Sequence, residues 1–587
     1  MYFMPYQNRA EDAVSLGVVL TVRGSEAHVG LNTGVERAGS DRPTVGKFLA
    51  IETGTAAIVG MIADVSSRRP RDVDAGHFTA VARIELMGEI LKSADGTASF
   101  RRGVRDYPII GDPVRMISNV DLRLIYKPPE RDGIAIGYLN LDPTIPAFVD
   151  IDNLLTKHFA LLGSTGVGKS SGVSVILNET IKARPQLRAL LLDAHNEYGH
   201  CFGDRAYILN AGNLRLPFWL FNFEEFTDII YGGRQVVPEE IEILAELIPI
   251  AKVSYQQMRS SPDRLVIKKK DPSQHNMTAD TPIPYLLQDL ISLIDERMGK
   301  LENRSSRMVH RRLIMRIEAL KNDTRYAFMF ESANVGGDTL AQLLSQLFRL
   351  EQSGQPITLL QLASLPVEVV DAVVCLVTRF AFEFGLWSDG QMPLLLVCEE
   401  AHRYAAADQT AGFAPVRRSL ARIAKEGRKY GVYLGLVSQR PAELDPTIIS
   451  QCSTLFAMRM TNDHDQSLLR SAVADAGADL LNFVPTLGTG EVVGFGEGMP
   501  LPTRLMFKSL EAGLVPKSES NAGLQGRDDN LDVANFVNGV VERWRGTKFQ
   551  QPVRSDDSSN TASVEGSRAT YLSALERGLN AAAADYR

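Results

Sequence analysis

One octapeptide constrains this chain more than anything else in it. Gly163-Ser164-Thr165-Gly166-Val167-Gly168-Lys169-Ser170 fits G-x-x-x-x-G-K-[ST] without a mismatch. The apolar run Phe159–Leu162 leads straight into it, and helical periodicity follows from Ser171 to Ala183. Strand, glycine turn and helix in that order make a phosphate cradle. The glycines let backbone N–H groups point inward, and the helix adds partial positive charge at its N-terminus. In such a cradle Lys169 reaches the β- and γ-phosphates of ATP, the Ser170 hydroxyl is a Mg²⁺ ligand, and Ser171 completes the cofactor-binding set.

Hydrolysis needs a second, acidic element. Leu394–Val397 reads as a buried strand, followed by Cys398 and the paired carboxylates Glu399 and Glu400. Glu399, nearer the strand, is placed to support Mg²⁺ through water, and Glu400 to polarise the attacking water as general base. Acidic pairs also suit helix N-termini, but the P-loop in the same chain favours the chemical reading. Asp193 ends the strand Ala189–Leu192, at the crevice where parallel sheets hold ligands, so it either meets the metal's shell or caps a turn. Gln439 leaves the strand Val432–Val437 before Pro441, as a γ-phosphate sensor or as an ordinary polar residue at a turn. On the helix Pro415–Tyr430, Arg418, Arg422, Lys425 and Lys429 share one face, and Arg417 and Arg428 another. Such a face either binds phosphate or is solvated, and the same choice applies to Lys268-Lys269-Lys270.

The rest of the chain sorts into domains around this core. Its 587 residues exceed one hydrophobic core. Residues 1–127 show short strands (Gly17–Arg23, Ala27–Leu31, Gly46–Glu52, Ala57–Val65, Phe78–Leu91) spaced as in a small β-barrel. Residues 128–223 and 351–515 alternate strands and helices, the pattern of a mostly parallel α/β sheet. Between them, 224–350 carries helical patterns (Pro238–Lys252, Pro284–Lys300, Ser306–Asn322) and reads as an inserted helical bundle. A polar tail, 516–587, ends in a helical pattern. The four cysteines form no CxxC pair, which argues against a zinc site or disulfide framework. No apolar run approaches a membrane span and no signal peptide is visible, so the expected location is cytoplasmic. The net charge of −7 requires any DNA contact to be local.

The segments HFALLGSTGVGKS, LLDAHNEYG, LLLVCEEAHRY, AKEGRKYGVYLGLVSQRPAELDP and AMRMTNDHDQ, in this order, resemble the HerA branch of the HerA/FtsK motors. The resemblance runs with gaps from about 130 to 510, and the β-rich N-terminus is similar to the barrel that precedes that core. It implies a RecA-like ATPase fold and a homo-hexameric ring with ATP sites between subunits and double-stranded DNA in the channel. It also implies a separate effector, either a NurA-type nuclease or a sirtuin-type NAD hydrolase. Carried over by motif, Glu400 is the base, Asp193 lies by the metal, Gln439 is a sensor and Arg428 is an arginine acting in trans; Arg459, which also lies near the end of a core strand, is the runner-up for that last role. Glu399 stands where Asp is commoner. Lys157 stands where some relatives have Arg, so no role passes to it. A ring that only scaffolds an effector is the alternative. A secretion-type coupling ATPase, which normally has N-terminal membrane helices, fits less well.

Overall fold

The computed structural model describes residues 15–517, except 33–41, 55, 67–77, 79, 94–96, 130–131, 233, 261–276, 332–336, 352–353, 409–412 and 474–477. Lys268–Lys270 and the expected C-terminal helix lie outside the described residues.

Strands β1 (Gly17–Arg23), β2 (Glu26–Leu31), β3 (Phe48–Glu52), β4 (Ala56–Ser66), β5 (Ala80–Lys92), β6 (Ala98–Arg102) and β7 (Pro113–Met116) run antiparallel in the order β2-β1-β7-β3-β4-β5-β6. β5 also pairs with β2, so six strands close into the expected barrel and β6 hangs on its rim. Alternate residues of a strand face opposite sides. Leu49, Ile51, Ile58 and Ile62 accordingly fill the barrel interior with Val19, Val29 and Ile84. Phe48, Ala50, Val59 and Met61, one step out of phase, join the large core of the rest of the chain. Burial on both faces explains why β3 and β4 read as continuous apolar runs. The short strands β6 and β7 and helix α1 (Asn119–Ile125) were not expected. β6 has no fully buried residue to mark it, and α1 is set by a local Ser118–Asp121 capping box.

The second sheet has eleven strands in the order β12-β13-β11-β14-β15-β10-β16-β17-β18-β8-β9. In chain order these are β8 (Gly133–Leu139), β9 (Pro146–Asp150), β10 (Phe159–Leu162), β11 (Arg188–Asp193), β12 (Ala206–Leu209), β13 (Ile357–Gln361), β14 (Leu394–Cys398), β15 (Val432–Ser438), β16 (Thr454–Ala457), β17 (Glu491–Gly496) and β18 (Thr503–Phe507). Those from β12 to β16 in the sheet are parallel. Helices α2 (Ile151–Thr156) and α3 (Lys169–Ala183) flank β10 in the chain. This is the mostly parallel α/β core anticipated from the alternating pattern.

From β12 to β13 the described chain makes no further strand of the sheet and runs through helices instead. These are α4 (Phe223–Tyr231), α5 (Pro238–Ser260), α6 (Leu287–Gly299), α7 (Arg304–Asn322), α8 (Ala327–Phe330) and α9 (Leu340–Leu347). The core resumes with α10 (Val367–Trp387), α11 (Ala414–Glu426), α12 (Pro446–Ile449) and α13 (Asp463–Ala472). Two expected elements are shorter than their patterns. The helix expected over 415–430 gives way to a 3₁₀ turn at Gly427, where a Cβ would lie 2.5 Å from the Val432 carbonyl. The apolar run Leu455–Met460 reads as one strand, but the strand stops at Ala457 because the next residues turn to brace the P-loop.

Candidate nucleotide site at the carboxyl ends of the parallel strands

β10 ends at Leu162, and Lys169 is the first residue of α3. The six residues between reverse the chain tightly. Gly166 and Gly168 have φ of 75° and 100°, a left-handed backbone that glycine adopts without strain. Gly163 is crowded instead, since a Cβ there would meet the Met458 side chain at 2.8 Å. Neighbouring strand ends hold the loop. Ser164 donates to the Arg459 carbonyl from its backbone N–H (3.0 Å) and from its hydroxyl (2.9 Å). Gly490 N–H donates to the Val167 carbonyl at 2.9 Å. Lys169 Nζ donates to the Ser164 carbonyl at 2.9 Å. Burial lowers the Lys169 pKa against the pull of Glu400, Glu399 and Glu197.

Four carboxyl groups gather near the P-loop in two layers, three of them acting on this lysine. Asp193, fully buried at the end of β11, accepts the backbone N–H groups of Glu197 (3.0 Å) and Tyr198 (3.1 Å). It therefore folds the turn 193–198 onto itself, and it shares a hydrogen bond with Glu399. Two carboxyls can share a hydrogen bond only if one keeps a proton. Burial, then the nearby Asp193, Glu197 and Glu400 charges, push the Glu399 carboxyl pKa well above the usual range. Glu399 also accepts the Ala194 N–H at 3.1 Å. This pair forms the inner layer.

Glu197 and Glu400 form the outer layer, facing the P-loop. The Ser170 hydroxyl donates to Glu197 Oε2 at 2.8 Å. Glu400 has φ of 49°, a strained conformation for a non-glycine residue. The β14 strand thus ends in a reversal that leaves Glu400 7% exposed, with His195 Nε2 3.8 Å from Oε1 and His402 Nδ1 3.2 Å from Oε2. His402 is turned toward the Ser438 hydroxyl at 3.2 Å. Glu400 Oε2 is left buried with no hydrogen bond, as is Asn196 Oδ1. Such orphaned acceptors mark a place built for another partner. Inward amides, an ammonium, a hydroxyl held by a carboxylate and a free carboxylate oxygen fit a Mg²⁺–nucleoside triphosphate. Ser170, oriented by Glu197, would hold the metal, and the loop and Lys169 the phosphates.

The family model described as "Helicase HerA, central domain" matches residues 134–381, which include the P-loop and the 193–198 turn. Along this segment the chain is similar to HerA. It is 27% identical over 499 residues to the DNA double-strand break repair helicase HerA of Pyrococcus furiosus, covering 80% of this chain and 82% of that one. It is 24% identical over 530 residues to the HerA of Sulfurisphaera tokodaii, covering 87% and 94%. Among solved structures, VirB4 of Thermoanaerobacter pseudethanolicus matches with a TM-score of 0.44 and 14% identity, over 66% of this chain and 99% of that one.

The remaining expected residues of the HerA-like site fall in two places. Gln439, at the exit of β15, is hydrogen-bonded to the Thr165 hydroxyl, which puts it on the P-loop. Arg428 is exposed in the turn before β15, at the amino ends of the strands, close to the His158 ring. β15 is seven residues long, about 20 Å, so Arg428 cannot reach the P-loop of its own chain. Glu197 and His402 were missed as site residues, although both lie in the quoted segments DAHNEY and EEAH. The signal for Glu197 was positional. Asp193 accepts the N–H groups four and five residues on, and that tight turn aims residue 197 back at the P-loop.

Proposed function

We propose that the chain is an ATP-hydrolysing motor on double-stranded DNA, working in the cytoplasm as a ring of six copies beside a separate effector. The observation that carries the reading is the strained Glu400 carboxylate, buried and unbonded, facing a complete P-loop. Lys169 and the loop amides bind the triphosphate. Ser170, oriented by Glu197, provides the metal-side hydroxyl. Bound Mg²⁺ supplies positive charge to the β- and γ-phosphate oxygens. Glu400 accepts a proton from the attacking water, and His402 keeps one side of that carboxylate enclosed. Glu399, which accepts the Ala194 N–H, acts from behind, tying the end of β14 to the turn after β11. Gln439, bonded to the loop through Thr165, reports the state of the γ-phosphate to β15. The repair-helicase names of the relatives support DNA as the track.

Effector docking is assigned to the barrel domain, residues 1–127. The loop after β6 presents Tyr107, Ile109 and Ile110 at 52%, 70% and 72% exposure, an apolar tip suited to a partner. The deciding experiment measures ATP hydrolysis with and without duplex DNA, alongside the mass of the assembly in solution. DNA stimulation of a six-membered ring supports the motor. Hydrolysis indifferent to DNA, in a ring that still captures its effector, would favour the scaffold instead.

A further inference from the structure

We propose that a cleft among the connecting helices binds phosphate esters, at a site separate from the P-loop. The cleft, 520 Å³ in volume, lies between the end of α4, one face of α7, the turn 323–326 and the start of α10. Arg234, Arg312, Arg316 and Arg325 line it, against only two carboxylates, Asp323 and Glu368. Both carboxylates are already engaged by Arg325, at 2.8 Å and 3.7 Å. Arg234 and Arg312 are exposed and have no side-chain partner among the described residues. Spacing along α7 puts Arg312 and Arg316 one turn apart on the same face.

Arg316 is the decisive residue. Its guanidinium lies over the Tyr231 ring at 5.0 Å, and its side chain is only 21% exposed. Nε forms an ion pair with Glu240 Oε2 at 3.2 Å, the oxygen that also accepts the Tyr231 hydroxyl at 2.8 Å, but it makes no hydrogen bond. A guanidinium held over a ring and beside Glu240 is fixed in position, while its Nη1 and Nη2 groups make no hydrogen bond among the described residues. Leaving such donors unsatisfied is unfavourable, so the arrangement points to an incoming acceptor. Planar guanidinium forks match phosphate oxygens two at a time, and their planes also stack on bases. The cleft is large enough for a nucleotide unit. It is not the P-loop's own phosphate pocket, since β13, which leads into α10, stands four strand steps from β10, roughly 19 Å away. The phosphate comes either from a nucleic-acid backbone or from a free nucleotide.

The test uses the full chain carrying Lys169→Ala, so that the P-loop does not contribute. Pyrophosphate is titrated by calorimetry, and a fluorescent oligonucleotide, single-stranded or duplex, by anisotropy across a salt series. Adding Arg312→Ala and Arg316→Ala should weaken pyrophosphate at least about tenfold. Arg316→Lys, which keeps the charge and loses the fork, should also weaken it. Arg312→Glu, at an exposed position, gives the same reading without risk to the fold. If the double substitution also lowers the salt slope for the oligonucleotide by about 2, the ligand is a nucleic-acid backbone. If only pyrophosphate binding falls, it is a free nucleotide. Pyrophosphate that does not bind the Lys169→Ala chain, or binds the arginine variants equally well, would overturn the proposal and leave Arg316 paired with Glu240 alone. Neither result depends on ATP hydrolysis, so the motor reading stands or falls separately.

Discussion

At the carboxyl ends of the parallel strands, Glu197, Glu399 and Glu400 act on the Lys169 ammonium, with Asp193 behind them beside Glu399. At the amino ends of the same strands lie Arg188, Arg428 and Lys429, with the ring of His158 between β10 and β15. The two ends settle their charge differently. Among the carboxylates, the chain supplies too little positive charge, and burial with mutual repulsion raises the pKa values of Asp193 and Glu399. At the other end the cations are relieved. Arg188 donates to the carbonyls of Arg349, Pro185 and Gln186, and Arg428 and Lys429 face solvent. His158 stays neutral, its pKa pushed down to about 4 by burial, and its Nδ1 accepts the Leu434 N–H. One end is short of positive charge and the other has an arginine to spare. That contrast suits a ring in which the amino end of one copy meets the carboxyl end of the next.

The bluntest way to break the contrast is to remove its one internal cation. Lys169→Ala leaves four carboxyl groups and no ammonium, so nucleotide binding should be lost altogether. Tight binding of a fluorescent ATP analogue by this variant would remove the P-loop from the argument. Arg428→Ala tests the supply from a neighbour. A guanidinium added across a subunit boundary is worth about 10³–10⁵ in rate, so this variant should bind ATP normally and hydrolyse it poorly. Mixed with Lys169→Ala chains it should recover part of its activity, because some interfaces then pair an intact loop with an intact arginine. Full activity of Arg428→Ala alone would make it a solvated residue and shift attention to Arg459, which is half-buried beside the loop.

How much of this the sequence revealed depends on how local the cause was. The P-loop is set by short-range backbone geometry, so eight residues sufficed. The barrel strands β1 to β5 were legible because their apolar runs are long. β6, which is little buried, and β7, only four residues long, gave no such pattern. The pairing of Glu399 with Asp193 was not legible at all, because it arises from β14 lying beside β11 in the sheet, two hundred residues apart in the chain. The strain at Glu400 was hidden for the same reason. Nothing in EEAH announces a left-handed residue.

Glu400→Gln sharpens the difference between the two layers of carboxylates. It should bind Mg²⁺ and ATP but hydrolyse at least about a hundredfold more slowly, the usual loss for a general base. Glu399→Gln should be milder, since an amide can still donate to Asp193 and accept from Ala194 N–H. Single-turnover hydrolysis of the two variants separates the roles. A Glu399→Gln chain as slow as Glu400→Gln would mean that the inner layer, too, reaches the attacking water.

The smallest expected effect falls on Glu197 and concerns the metal more than the chemistry. A hydroxyl oxygen binds a cation through its lone pairs, and the direction of its hydrogen decides where those point. Glu197 takes the Ser170 hydrogen at 2.8 Å, which turns the lone pairs toward the phosphate side of the loop. Its backbone is fixed by Asp193, and its own carbonyl accepts the Lys517 N–H at 3.3 Å, so the carboxylate has little freedom to follow a displaced hydroxyl. Glu197→Ala should therefore raise the Mg²⁺ concentration for half-maximal nucleotide binding by about 10- to 100-fold, as loss of a partner behind a metal ligand generally does. Binding of nucleotide without metal should change little, because Lys169 and the loop amides remain. Glu197→Gln should lie between, retaining an acceptor for Ser170 but not the charge. Mn²⁺ binding followed by electron paramagnetic resonance gives the same quantity without relying on turnover. If Glu197→Ala leaves metal affinity unchanged while Glu399→Gln lowers it, the two carboxylates exchange places, and the inner layer is the one that holds the ion.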